Sequence, residues 1–536
     1  MPGSPRLFAA LAVVILSSFA VRAAEPLHVR IDRFIAAGQK GYEKQVAVQA
    51  SDAEFLRRVY LDLAGTIPTA SEVRAFLADK DAGKREKLIE KLLASPAYAR
   101  RMAQYYDVVF MERRRDAKVP RAAWEAFLLA AFAKNQPYDA LVRDILSADG
   151  VDAKNRAAAK FYLDRDFEPN LVTKDIARIF LGRNLQCAQC HDHPLIDAYK
   201  QAEYYGILAF LNRSYLFPNA GDAKAVLAEK PDGEVNFVSV FDKAKKQKST
   251  MPRVMTGKSF DEPKLAKGKE YKVVPAKGVR PVPSYSRREK LAAALTGPDN
   301  PTFARAGANR LWAMMLGRGI VNPVDLDHTA NPASHPELLD LLAKEFTAHK
   351  FDVKWLLREI ALSKAYQRSS ELPAGVSDPP EDRYLVAILK PLSAEQLAFA
   401  AAQGLDAGKS AAMAAPASLA SGVLPAFRNM FGGQPGKPDT GATTNLDQTL
   451  FLKFGASLRN LIVARAGNLT DRMIKAKPSE IAAIADDLFL SIFSRPATVE
   501  EKNDVAKLLT AGADRTTAAN ELVWALLASA EFRFNH

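Results

Sequence analysis

The chain has 536 residues, of which 48% are hydrophobic and 25% are charged. This composition is that of an ordinary globular protein, it excludes a largely disordered chain, and the length predicts two or three domains. The net charge of +13 comes from lysines and arginines that are spread along the sequence. A solvated basic surface is therefore expected rather than a nucleic-acid site, although an acidic redox partner also fits a basic balance.

The first 23 residues have the pattern of a secretory signal peptide. Arg6 precedes an apolar run from Leu7 to Ala20, and a small residue, Ala23, stands at the expected cleavage position. The run is too short for a confident membrane span, and no later segment is long and apolar enough to be one. We therefore predict a signal peptide over 1–23 and a periplasmic or secreted protein with no transmembrane segment after its removal. An uncleaved N-terminal anchor is the alternative.

Amphipathic helical patterns follow the signal and predict a helical domain over residues 28–215. Ser51 is placed to cap a helix that ends at Gly65, and Thr69 and Glu72 have the spacing of a capping box. Helical patterns return after residue 285 and predict a second helical domain over residues 286–536. Within it, residues 407–447 are rich in Ala, Gly, Pro, Ser and Thr and are predicted to form a long loop.

Residues 216–285 differ from both helical regions. The segment EVNFVSVF, residues 234–241, alternates apolar and polar side chains and predicts a strand, and KEYKVVP, residues 269–275, predicts another. We expect a β-rich insertion that is peripheral and takes no part in a cofactor site. The predicted fold class is therefore mainly α, with helical N- and C-terminal domains and a small β-rich insertion between them.

The segment CAQCHDHP, residues 187–194, contains both cysteines of the chain. C-x-x-C-H is the attachment signature of c-type haem. Cys187 and Cys190 are one helical turn apart, so their thiols can reach the two vinyl groups of one porphyrin edge, and His191 can then ligate the iron. The pattern predicts covalent haem c at Cys187, Cys190 and His191.

Two other interpretations of this segment remain open. Cys187, Cys190, His191 and His193 together offer two sulfurs and two nitrogens, a set that suits zinc, copper or iron bound directly. A disulfide between the two cysteines is the other alternative. Redox C-x-x-C motifs usually follow a strand, whereas here a helical pattern precedes the motif and Pro194 follows it.

Further candidate ligands lie elsewhere in the chain. His193 is too close to His191 to reach the opposite face of a haem, so we expect it to contact a propionate or a backbone carbonyl. His335, with the nearby Asp325, Asp327 and His328, is a candidate for metal binding or acid–base chemistry. The competing interpretation is that Ser334 caps a helix that begins at Pro336. The formal candidates for a distal haem ligand are Met102, Met111, Met314, Met315, His328 and His335.

Several motifs give the sequence a family resemblance. They include FLRRVYLDLAGTIPTASEVRAFL and FLGRNLQCAQCHDHPLIDAYKQAEYYGILAF in the first half, and NPTFARAGANRLWAMMLGRGIVNPVDLDHTANPASHPELLDLLAKEF in the second. Together they resemble the large, secreted, planctomycete-type proteins that are described as cytochrome-c-like and are built from two domains of unknown function. The resemblance covers most of the chain, and its name implies haem at Cys187, Cys190 and His191. It implies no catalytic activity.

These observations lead to one expected function and two alternatives. We expect a secreted c-type haem-binding protein that transfers electrons in the periplasm and has a redox partner protein but no nucleic-acid partner. The first alternative is a non-haem metal enzyme or structural protein that uses the CxxCHDH segment. The second is a redox-silent scaffold that acts on exported polymers, with its CxxC closed by a disulfide. The sequence assigns no catalytic residue and determines neither the distal ligand nor the oligomeric state.

Overall fold

The computed structural model describes residues 25–536 except 38, 219–224, 256, 258, 299, 407–421, 439–444 and 511–513. Helices dominate the described chain, and its strands form only two-stranded sheets, which confirms the predicted mainly α fold. The predicted signal peptide lies outside the described residues. No helix in the part of the chain that the structure describes is long and apolar enough to cross a membrane.

The first half of the chain is helical from residue 27 to residue 211. Its helices are α1 Leu27–Ala36, α2 Tyr42–Gln45, α3 Asp52–Ala64, α4 Ala70–Ala78, α5 Lys84–Ala94, α6 Pro96–Met111, α7 Arg121–Ala133, α8 Tyr138–Ser147, α9 Lys160–Leu163, α10 Pro169–Leu181 and α11 Gln201–Leu211. Short 3₁₀ turns occur at Arg156–Ala159 and Cys187–Gln189.

Side-chain caps explain where the early helices begin. The Ser51 side chain accepts the backbone N–H of Glu54 at the start of α3, and Gly65 ends that helix in the left-handed conformation with φ 71°. Thr69 and Glu72 form the reciprocal capping box at the start of α4. Both helix starts and the end of α3 agree with the predictions made from the sequence.

The described residues of the central insertion form three separate antiparallel strand pairs. The strands are β1 Ser214–Phe217, β2 Val226–Glu229, β3 Val235–Phe237, β4 Lys248–Thr250, β5 Tyr271–Val273 and β6 Val282–Pro283. They pair as β1 with β2, β3 with β4 and β5 with β6. The strand predicted over 234–241 is shorter than expected, since it ends at Phe237, and the strand predicted around residue 272 is present.

The second half of the chain returns to helices. These elements are α12 Arg287–Thr296, α13 Pro301–Leu316, α14 Pro336–Ala348, α15 Val353–Leu362, β7 Lys390–Pro391, α16 Ala394–Gly404, α17 Leu424–Phe431, α18 Leu446–Phe454, α19 Ala456–Ile462, α20 Leu469–Lys475, α21 Ile481–Phe493, α22 Val499–Thr510, α23 Arg515–Ala528, α24 Ala530–Arg533 and β8 Phe534–Asn535. The loop predicted over 407–447 is wrong where α17 lies, and residues 407–421 and 439–444 fall outside the described residues.

Two hydrophobic cores organise these helices. The first core combines α1–α11 with α12–α15, and the second combines α16–α24 with two residues of the N-terminal half, Leu61 and Ile67. Tyr138 illustrates the first core, because its ring stacks on Phe303 with centroids 5.3 Å apart. The predicted domain boundary at residue 286 stays a prediction, but the apolar packing continues across it.

A buried carboxylate connects the two cores. Asp62, at the end of α3, accepts hydrogen bonds from Lys390 Nζ at 2.6 Å, Tyr366 Oη at 2.8 Å and Asn535 Nδ2 at 2.9 Å. Lys390 and Asn535 lie in the paired strands β7 and β8. Three donors compensate for the cost of burying this charge, and they hold the end of the described chain against α3.

A second buried carboxylate, Glu395 in α16, lies between two arginines. Its oxygens accept from Arg113 at 2.9 and 3.2 Å and from Arg428 at 3.0 Å. Burial by itself raises the pKa of Glu395, but the two guanidinium groups outweigh it and lower this pKa from 4.5 to about 2. The carboxylate therefore stays ionised and paired far into the acid range.

The Glu395 ion pair predicts a specific acid response. Because the pKa in the folded state lies below the value in the unfolded chain, the stabilisation is fully present above pH 4.5 and is lost as the pH falls towards 2. We expect the wild type to lose about 3 kcal/mol more than Glu395→Gln across this window in urea unfolding. The exposed Glu500→Gln is the matched control, and parallel pH curves for Glu395→Gln and the wild type would contradict the assignment.

Candidate cofactor site at the Cys-x-x-Cys-His turn

The end of helix α10 positions the cysteine motif. Gly182 ends this helix with φ 63°, and a Cβ atom there would lie 3.2 Å from the carbonyl oxygen of Val324. The Gly182 carbonyl accepts the backbone N–H of Asp327 at 3.0 Å, and Arg183 forms a β-bridge with Leu326. A loop of the C-terminal half therefore holds the chain directly before the motif.

The two cysteines lie on a single 3₁₀ turn. Ala188 is fully buried between them, whereas Cys187 and Cys190 are both exposed and both free. The Cys187 carbonyl accepts the backbone N–H groups of Cys190 at 3.1 Å and His191 at 3.3 Å. The turn thus presents both thiols to solvent and places the histidine directly after them.

His191 is held in one tautomer. Its Nδ1 lies 2.7 Å from the carbonyl oxygen of Asp192, and because a carbonyl oxygen can only accept, Nδ1 must carry the proton. The Nε2 lone pair is then available to a metal, which is the usual arrangement of a ligating histidine. The ring also lies against Phe241, with centroids 4.7 Å apart.

His193 is held in the opposite tautomer. Its Nδ1 accepts the backbone N–H groups of Leu195 at 3.2 Å and Ile196 at 3.1 Å. The neutral ring therefore carries its proton on Nε2. Its Nδ1 stabilises the loop that leads to Tyr199, and the backbone N–H of His193 donates to the Tyr199 carbonyl at 2.9 Å. We expected the His193 side chain to contact a haem propionate or a backbone carbonyl. In the structure its Nδ1 instead accepts two backbone N–H groups.

The C-terminal half also places His328 behind the motif. The Tyr199 ring lies between His193 and His328, at centroid distances of 6.0 and 5.3 Å. Burial raises the pKa of Tyr199 to about 12, against the opposing charge of Arg183. Burial, together with the charge of Arg183, lowers the pKa of His328. These shifts favour a neutral phenol and a neutral imidazole at the contact between the two halves.

A network of ion pairs fixes this contact. Asp327 lies 3.1 Å from Arg305 and 3.5 Å from Arg183, and Asp325 lies 3.8 Å from Arg178. The Asp327 pairs connect the segment between α10 and the motif to α13. The sequence did not predict this role for Asp325 and Asp327, since their pairs with Arg178 and Arg183 join residues more than a hundred positions apart and leave no local pattern.

The insertion also contacts the motif, so the expectation that it is peripheral is wrong. The backbone N–H of Val240 donates to the Cys190 carbonyl at 3.0 Å. Tyr205 stacks on Phe237 with centroids 4.3 Å apart, and its hydroxyl donates to the Gln189 carbonyl at 2.8 Å. The alternation of this segment breaks twice, at Phe237 and Val238 and again at Val240 and Phe241, where two apolar residues follow each other.

His335 lies in a different environment from the motif. It is the N-cap residue of α14, its Nε2 lies 3.3 Å from Gln39 Nε2, and its ring packs against Tyr384. Ser334 is therefore not the cap that was expected, and its hydroxyl donates to the Ile320 carbonyl at 3.3 Å. No set of three or more His, Cys, Asp or Glu side chains within the described residues is arranged to hold a metal ion.

The methionines considered as distal ligands are all buried in the first core. None of the four is more than 7% exposed: Met102, Met111, Met314 and Met315. Their position is that of ordinary core side chains. Among the distal candidates, only His328 lies near the motif. Its ring contacts Tyr199, and the Tyr199 ring also contacts His193.

The fold and the site together define a class of protein. It is a mainly helical protein that presents an exposed Cys-x-x-Cys-His turn, supported from behind by a loop of its C-terminal half. Residues 30–215 match the family PSCyt2, a protein of unknown function (DUF1549), and residues 287–421 match PSD1, a protein of unknown function (DUF1553). The chain therefore contains two domains of unknown function, in agreement with the resemblance seen in the sequence.

The names of the two families carry limited information. PSCyt2 hints at a cytochrome-like role, whereas the description of both families leaves their function open. Comparison with curated proteins and with solved structures finds no match to this chain.

Proposed function

We propose that this protein binds one haem covalently through Cys187 and Cys190, with His191 as an axial ligand, and that it transfers electrons outside the cytoplasm. The observation that carries the proposal is the opposite tautomer of the two histidines of the motif. His191 keeps its Nε2 lone pair available, whereas the Nδ1 of His193 is occupied by two backbone donors.

The residues of the turn fit this cofactor. Both thiols are exposed and free, so they are accessible for thioether formation. The Asp192 carbonyl orients the His191 ring and fixes its proton on Nδ1. The bound haem would supply one-electron chemistry, and the chain would supply the attachment, the proximal nitrogen and the surrounding surface.

The same contacts argue against a four-ligand Cys₂His₂ metal site. Ligation through His193 Nδ1 would require the loss of two backbone hydrogen bonds, and ligation through Nε2 would require the proton to move to an Nδ1 that faces two N–H donors. A metal held by Cys187, Cys190 and His191 alone is the second candidate, and it would require these three side chains to move together, because they are not arranged as a metal site. It keeps the available His191 nitrogen but needs a further ligand from outside the turn.

A pyridine haemochrome spectrum tests the proposal. We expect the chain, produced in a host with c-type maturation machinery, to contain about one haem that resists acid–acetone extraction. The double variant Cys187→Ser/Cys190→Ser should lose it, and the exposed neighbour Gln186→Ala should keep it. A folded protein without haem but with stoichiometric zinc, copper or iron would contradict the haem proposal and support the direct metal site.

A further inference from the structure

The surface beside the Cys-x-x-Cys-His turn combines exposed apolar side chains with lysines. Val240 and Phe241 follow strand β3 and are 66% and 73% exposed, although Val240 is bonded to Cys190 and Phe241 contacts His191. Leu195, in the loop after the motif, is 82% exposed. Large apolar side chains that are so exposed around a functional turn are typical of an interaction surface.

A run of lysines continues this surface. Four exposed lysines lie in the connection from β3 to β4 and at the first position of β4, namely Lys243, Lys245, Lys246 and Lys248. In the pairing of β3 with β4, Lys248 lies opposite Phe237. Because Phe237 stacks on Tyr205, which is hydrogen-bonded to the motif, the lysine-rich connection lies beside the motif. None of the four makes an ion pair with a carboxylate of the described residues, so their charges are available to a partner.

The acidic groups of the same surface are already engaged. Asp192 accepts the backbone N–H of Gln201 at 2.7 Å, Asp197 pairs with Lys200 at 2.9 Å, and Asp242 accepts the N–H of Ala244 at 2.9 Å. Of these three, only Asp197 is paired with a cation of the described residues, so the four lysines outnumber the two remaining carboxylates and the net charge that this surface offers to an approaching molecule is positive.

We propose that Leu195, Val240, Phe241 and the lysines of residues 243–248 form a docking surface for an acidic protein partner. The choice of a redox protein as that partner rests on the proposed function. Exposed apolar side chains next to basic ones match a protein interface, in which an apolar centre supplies affinity and the charges supply orientation and association rate. A partner seated there would cover the Cys-x-x-Cys-His turn.

An anionic membrane is the competing occupant of a surface with lysines and a phenylalanine. Phe241 favours a protein, because its ring contacts His191 at 4.7 Å and so lies at the turn itself rather than on a separate membrane anchor. The surface also includes the turn that carries the proposed cofactor, and a protein can bring a redox group to it.

Binding of an acidic one-electron protein tests the proposal without requiring haem in the chain. Fluorescently labelled flavodoxin is titrated with the full mature chain at about 10 mM and about 300 mM salt, and anisotropy reports the affinity. Lys243→Glu/Lys245→Glu/Lys246→Glu should weaken low-salt binding at least about tenfold. Lys264→Glu/Lys267→Glu/Lys269→Glu changes three exposed lysines of another loop and should weaken it less than about threefold.

Two further measurements separate the outcomes. Leu195→Ser should lower the affinity for flavodoxin without changing its salt dependence, and an unchanged affinity would contradict the apolar part of the surface. Sedimentation with phosphatidylglycerol vesicles that depends on residues 243–246, together with no flavodoxin binding, would overturn the proposal in favour of a membrane. Equal losses in the two triple-lysine variants would also overturn it. Site-dependent binding, together with the absence of haem from a folded chain made with c-type maturation machinery, would support the surface and refute the proposed function.

Discussion

Replacing His191 by alanine is expected to abolish normal haem ligation, whereas replacing His193 by alanine should leave the haem attached. His191 follows Cys190 directly, and its Nε2 lone pair is the one that the turn leaves available. His193 instead accepts two backbone N–H groups, so its loss should loosen the loop by about 1 kcal/mol and change the spectrum only modestly.

The control for this pair is His193→Asn. An asparagine Oδ1 atom can accept the same backbone N–H groups, as it does in Asx turns, and should restore the loop without restoring an imidazole. Haem staining, absorbance spectra and metal analysis are measured on all three variants side by side. Equal metal loss in the two alanine variants, with no haem in the wild type, would refute the haem proposal, because each histidine would then be a direct metal ligand.

A chain that ends at residue 285 is expected not to fold, although it contains the complete match to PSCyt2. Tyr138 in α8 is buried between Phe303 and Phe346, with ring centroids 5.3 and 6.2 Å away, and both partners lie beyond the truncation. Helices α12–α15 are part of the same core as α1–α11, so their removal would expose a continuous apolar surface.

Circular dichroism, thermal unfolding and limited proteolysis measure this prediction. The matched control is the full chain cut between the exposed Lys277 and Gly278, which should keep its cooperative unfolding because every core helix is still present. Co-expression of residues 286–536 should rescue the truncated chain. A fragment ending at 285 that is monomeric and unfolds cooperatively by itself would show that the first half has its own sufficient core.

The outline of the fold was available from local patterns. The cap at Ser51, the left-handed Gly65 and the capping box of Thr69 and Glu72 depend on neighbours within a few residues, and the structure confirms them. The loop predicted over 407–447 was partly wrong, because tertiary packing outweighed a local composition that is typical of loops. Helix α17 forms within a segment that looked like a loop, since Phe427 and Phe431 reach the second core.

The candidate site divides in the same way. The order Cys187, Cys190, His191 is a property of the sequence, and it determined the cofactor hypothesis. The surroundings of this motif, including Asp327 and Phe241, come from segments 50 to 140 residues away, and only folding brings them together. Such contacts cannot be predicted from sequence periodicity, because each one joins two distant segments and the local pattern of each segment reflects only its own helix, strand or loop.

By itself, the sequence determined the mainly α class, many helix ends and the Cys-x-x-Cys-His motif, since all three depend on residues close together in the chain. The tertiary structure decided the tautomers of His191 and His193, the contact of the insertion with Cys190 and the shared core of α1–α15. These features depend on where backbone carbonyls, N–H groups and apolar faces meet in space, and distant segments acquire those positions only by packing against one another.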